Sequence, residues 1–182
     1  MNRYVDSVAW HAYNGTVDAM TRVHDVFPNK HAQWTEGSAV ITSPDFETDW
    51  SKWSTVFTGV LRNWGCSIVG RNLALDEEGK PNMGPGQSGG IVTIHSKTQK
   101  IIRCGQYWAF AHYSKVMQRG ARVLASHGDL TGVDHVAVKN PDGSYVLVLT
   151  NHSGLDRQAP CCIGSHELRM NLPRNSVTTL VW

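Results

Sequence analysis

The clearest periodicity in the chain lies between residues 50 and 64. Trp50, Trp53, Phe57, Val60, Leu61 and Trp64 recur at three- and four-residue intervals, which puts them on one face of a helix. Asp49 stands near its start and Gly65 follows it. Val17, Met20, Val23 and Phe27 predict an earlier helix over residues 16–27, stopped by Pro28. Residues 5–13, 31–38 and 66–74 read as strands between these helices. Residues 76–90, rich in Gly and Pro, read as a long loop. Residues 91–93 and 100–103 predict a hairpin across Ser96, Lys97 and Thr98. Residues 106–118 predict a further helix, with Tyr107, Phe110, Ala111 and Ser114 along one side.

The pattern changes after Gly120. Short alternating segments follow at 121–126, 133–139, 145–150, 167–171 and 177–182. Turn signals separate them, among them Asn140-Pro141-Asp142-Gly143. This predicts an antiparallel sandwich over residues 120–182. Residues 1–119 instead run strand, helix, strand, helix, strand, loop, helix, the order of an α/β barrel or a doubly wound sheet. A complete eight-stranded barrel needs about 250 residues. If this is a barrel, three strands are present and five are missing. The expected fold class is therefore α/β plus β: a partial (β/α)8 barrel, its last three strands, followed by an antiparallel β-sandwich.

Composition narrows the function classes. The chain has 182 residues, 41% hydrophobic and 18% charged, the balance of a globular protein. Its formal net charge of +2 gives no argument for a polyanion, so no nucleic-acid partner is expected. No stretch approaches the roughly 18–20 apolar residues of a membrane span. The first residues lack the apolar core of a signal peptide. Cys66, Cys104, Cys161 and Cys162 show no Cys-x-x-Cys spacing, against a zinc or redox motif. Of seven Trp, six precede residue 109. Core packing accounts for most such rings, and sugar clefts use them too.

In an α/β barrel the chemistry sits at the C-terminal strand ends. The first strand offers His11 and Tyr13, two residues apart and so on one face. The second offers Glu36, on the same face as Trp34. Glu is depleted in strands. An inward Glu is a poor structural choice and a good nucleophile, and a solvated Glu at a turn is the alternative. The third offers Arg71 and Asn72, then Asp76, Glu77 and Glu78 in the loop. That acidic run reads as a solvated loop, with a metal site as the less favoured reading. Asn14-Gly15-Thr16 and Asn151-His152-Ser153 fit the N-glycosylation sequon.

Taken together, VAWHAY at 8–13, WTEGS at 34–38 and NLALDEEGKPN at 72–82 resemble glycoside hydrolase family 30. GQYWAFAHYSKVMQRGARV at 105–123 is similar to the family's segment between barrel and β-domain, and DHVAVKNPDGSYVLVLTN at 134–151 to two strands of that domain. The resemblance implies barrel strands six to eight, the last helix and most of the sandwich. It implies a retaining mechanism with two carboxylates about 5 Å apart. Glu36 matches the nucleophile, His11 and Tyr13 the lining of the sugar site, and Asn72 and Asn82 the family's Asn residues in this stretch. No cofactor or metal is implied.

Two features depart from the family. Its acid/base is a Glu preceded by Asn, and no Asn-Glu pair occurs here. The isolated chain is therefore expected to lack normal glycosidase activity. Arg71 stands where glucosylceramidases place a Trp. At ~6 Å and an effective dielectric of ~20, a cation repels an oxocarbenium-like centre by ~3 kcal/mol. Arg71 reads either as a drifted position or as a contact for a uronic acid. The leading expectation is part of a retaining, glucosylceramidase-like β-glycosidase. An endo-β-1,6-glucanase or xylanase of the same family is the runner-up. A carbohydrate-binding protein and a truncated, non-catalytic fragment are the readings from other classes. The expected partners are a β-linked glycan or glycolipid and the missing N-terminal part of the barrel. The family's setting implies a secreted or periplasmic location.

Overall fold

The computed structural model describes residues 2–82, 87–164 and 166–182. The chain forms two compact units. One is Met1–Asp49 with Gly59–Trp108, the other Trp50–Thr58 with Ala109–Trp182.

The first unit opens with strand β1 (Ser7–His11), helix α1 (Asp18–Val26) and strand β2 (His31–Glu36). Helix α2 (Trp50–Arg62) follows, then strand β3 (Gly65–Ile68). The three strands pair in parallel in the order β1-β2-β3. Met20 of α1 and Ala32 and Trp34 of β2 are buried, the pattern expected of an amphipathic helix on a sheet. Gly59 lies within α2 where a Cβ would come 3.0 Å from a Val17 methyl. A second sheet contains β4 (Ala74–Leu75), β5 (Val92–Ile94) and β6 (Ile101–Arg103). β5 and β6 are the antiparallel hairpin expected, and β4 joins β5 in parallel. Helix α3 (Gly105–Ser114) comes next in the chain.

Several expectations need correction. The segment 66–74 is two strands in two sheets, with Val69–Leu73 outside both. Trp64 lies beyond α2 with φ 71°, and its ring stacks on His24 at 3.7 Å. It does not belong to the buried face of the helix, which is Trp53, Phe57 and Val60. Phe27 likewise follows α1 and is largely exposed. The buried side of α3 is Gln106, Ala109 and Tyr113, not the Tyr107 side.

The second unit contains β7 (Arg122–Leu124), β8 (Val133–Lys139), β9 (Tyr145–Asn151), β10 (Arg157–Ile163), β11 (His166–Leu172) and β12 (Ser176–Val181). Four of them form an antiparallel sheet, β12-β9-β8-β7, and β10 pairs with β11. Leu147 and Leu149 pack with Ala159, Cys161 and Leu172 between these sheets. Val146, Val148, Val136 and Val138 are buried on the opposite face of β9 and β8. β10 is not among the expected strands, and its Pro160 has no N–H to donate to a ladder. It is tolerated in a two-stranded ribbon, where each strand keeps one edge free of ladder bonds.

Polar groups inside this unit are paired with care. The Tyr113 hydroxyl donates to Ser54 O at 2.9 Å and lies 2.7 Å from Ser54 Oγ and 2.8 Å from Thr58 Oγ1. Ser54 Oγ meets Thr150 Oγ1 at 2.6 Å. Burial pushes the Tyr113 phenol above its ordinary range, so it stays a donor. Asn151 is fully buried, and its amide donates to the carbonyls of Leu155, Leu172 and Pro173. The second sequon is therefore closed to glycosylation in the folded chain. Asn140 anchors the expected turn, with Gly143 at φ 93° where only Gly is unstrained.

Candidate active site

The first unit brings four of the expected residues to one place. β1 and β2 run in register from Ser7↔His31 to Trp10↔Trp34. An irregularity then skips Thr35 and sets His11 level with Glu36. Ala12 N donates to Glu36 O at 3.1 Å, which fixes the chain past the end of β1. β3 ends at Ile68, yet Val69 N still bonds Trp34 O and Arg71 N bonds Gly37 O. Those bonds hold Arg71 beside Glu36 without a strand. Gly37 is required here: a Cβ would lie 2.2 Å from the Trp34 ring. The buried Gln106 ties down the same turn by donating from Nε2 to Gly37 O at 3.2 Å. Nothing in the local sequence marked Gln106, since its role depends on a contact 69 residues away.

The Glu36 carboxylate has two unlike oxygens. Oε1 accepts from the Tyr13 hydroxyl at 2.7 Å and lies 3.4 Å from Arg71 Nε. Oε2 lies 3.7 Å from His11 Nε2, beyond hydrogen-bond reach. The Glu36 side chain is 28% exposed and Arg71 31%, so the pair is partly open to water. The His11 and Tyr13 rings meet edge-on at 5.8 Å. Partial burial pushes the Tyr13 phenol above 10, the Glu36 acceptor adds to this, and Arg71 opposes it. Tyr13 is thus a neutral donor throughout the physiological range. Chemically, the arrangement offers one oriented carboxylate with a free oxygen, flanked by groups that could bind hydroxyls.

Asn72 accepts Ile91 N on its backbone oxygen at 2.9 Å. Its side-chain Nδ2 is buried without a hydrogen-bond partner among the described residues. Asn82 is half-buried. The acidic loop serves its own turn. Asp76 Oδ1 accepts from Glu78 N and Lys80 N, and Glu78 pairs with Lys80 at 2.8 Å. Glu77 accepts from Ser96 N at 2.8 Å and Ser96 Oγ at 2.7 Å. These bonds from Ser96 hold Glu77 at a pKa of about 2. Among the described residues no His, Cys, Asp and Glu cluster could hold a metal ion.

Residues 120–180 match the family model described as the glycosyl hydrolase family 30 beta sandwich domain. An endo-1,6-beta-D-glucanase of Trichoderma harzianum is 32% identical over 97% of this chain and 37% of its own length. The lysosomal acid glucosylceramidase of Mus musculus is 25% identical over 99% of the chain and 37% of its own length. Among solved structures, the endo-beta1,6-glucanase BT3312 superposes with a TM-score of 0.85 at 28% identity, covering 96% of this chain and 40% of that one. The chain thus spans about two fifths of the length of these relatives.

Proposed function

For a chain related along nearly its whole length to the C-terminal portion of glycoside hydrolase family 30, we propose a share in a retaining β-glycosidase. In this reading β1, β2 and β3 are the last three strands of a (β/α)8 barrel, and Glu36 is the nucleophile. The observation that carries it is the Glu36 carboxylate at a parallel strand end, held through Oε1 by Tyr13 with Oε2 left open. Oε2 bonds to the anomeric carbon as the glycosidic C–O bond breaks. The leaving oxygen takes its proton from a carboxylic acid carried outside residues 1–182. Water then displaces Glu36 from the sugar and returns a proton to that acid. His11 and Tyr13 line the sugar, with Asn72 and Asn82 as candidate hydroxyl-binding residues. The unsatisfied Asn72 amide supports that role.

A β-1,6-linked glucan is the first substrate to test, because similarity to the endo-1,6-glucanases is the higher. A glucosylceramide is the second reading, on the lower but equally extended similarity to the glucosylceramidase. The upstream part of the barrel is the partner this reading requires. The test assays the complete gene product that carries these residues, against β-1,6-glucan and glucosylceramide. Glu36→Gln should lower turnover at least ~10³-fold, and residues 1–182 alone should turn over neither. Full activity in the Glu36→Gln protein would defeat the proposal.

A further inference from the structure

Arg71 touches the same carboxylate oxygen as Tyr13. Tyr13 donates its proton to Glu36 Oε1 at 2.7 Å, and the Arg71 guanidinium, a donor only, faces that oxygen from 3.4 Å. Arg71 is therefore part of the device that orients Glu36. It also places a fixed positive charge 3.4 Å from a group whose own charge disappears and returns during turnover.

The inference rests on Glu36 being the nucleophile. In the first half-reaction Oε2 bonds to the anomeric carbon, the glycosidic bond breaks, and an upstream carboxylic acid protonates the leaving oxygen. The negative charge on Glu36 is lost as its ester forms. In the second, a water oxygen bonds to the anomeric carbon and the ester C–O bond breaks. The water proton goes to the upstream carboxylate, and the charge on Glu36 is restored. A cation that stabilises the charged form opposes the first step and assists the second. We infer that Arg71 is a positioning residue that sets the balance between the half-reactions, slowing formation of the glycosyl-enzyme and hastening its breakdown. The pair is partly solvated, so the effect on the ratio of the two rates is about five-fold.

The experiment uses the complete gene product with saturating dinitrophenyl β-glucoside, whose leaving group needs no protonation. Rapid acid quench and intact-mass measurement give the ratio of glycosylated to free protein at steady state. Arg71→Gln should raise that ratio about five-fold, and Arg71→Lys, which keeps the charge, should leave it near the wild-type value. A merely structural role would lower the melting temperature without moving the ratio. An unchanged or lower ratio in Arg71→Gln, with the adduct still on Glu36, overturns the inference and leaves the nucleophile assignment standing. If Arg71→Gln does not fold, a lower ratio in wild type than in Arg71→Met supports the inference and equality overturns it. An adduct on another residue, or no turnover by any protein, overturns both.

Discussion

Tyr13 and Arg71 meet the same oxygen of Glu36, and the titration of Tyr13 reports that arrangement. The Tyr13 phenol sits above 10 because burial disfavours phenolate and the Glu36 carboxylate both accepts its proton and repels its negative charge. Glu36→Gln removes the charge and weakens the acceptor while Arg71 remains, so the Tyr13 midpoint should fall. Arg71→Gln removes the opposing cation, so the midpoint should rise. Ultraviolet difference titration, with Tyr13→Phe to assign the signal, checks both signs. No movement in either variant would mean the three side chains do not meet in solution. At this scale the sequence was informative for residues whose type conflicted with their place. An acidic residue on the Trp34 face of a strand stood out. Gln106 and Gly37 did not, because their constraints come from a distant carbonyl and from the Trp34 ring.

At the scale of elements, Glu77 fastens the loop after β4 to the turn after β5 through Ser96. Its pKa of about 2 lies below the ordinary 4.5, so the folded state favours the carboxylate. The stabilising contribution is complete above about 4.5 and is lost as pH falls towards about 2. Hydrogen exchange at the Ser96 amide should stay slow at pH 5, once corrected for intrinsic rates, and accelerate below about pH 3. In Glu77→Gln it should already be fast at pH 5. Exchange that ignores pH in the wild type would show that Ser96 is held by something else. The strong 3.6-residue period made α2 legible, and β-branched apolar runs bounded by turn signals made β8 and β9 legible to within a residue. What failed were segments where local apolarity and ladder pairing part company. Val69 and Leu73 read as strand but lie between two sheets. β10 contains a Pro yet pairs along all seven residues with β11. Trp64 fits the helical period but falls after the helix has ended.

At the scale of the whole molecule, residues 7–68 supply three parallel strands, and β1 and β3 each pair only with β2 among the described residues. Sheets of this kind are buried on both faces and seldom end on open edges. The chain also spans about two fifths of the length of its relatives, and none of its five Glu is preceded by Asn. The proposal ties these facts together: Glu36 with its supports in this chain, and a proton donor outside residues 1–182. The most direct measurement treats the complete gene product with a 2-deoxy-2-fluoro-β-glucosyl fluoride, which traps the first covalent intermediate of a retaining enzyme. Peptide mass mapping then locates the sugar. The account predicts one label per molecule, on Glu36. A label on any other carboxylate, or hydrolysis without a covalent adduct and with inverted anomeric configuration, would contradict it.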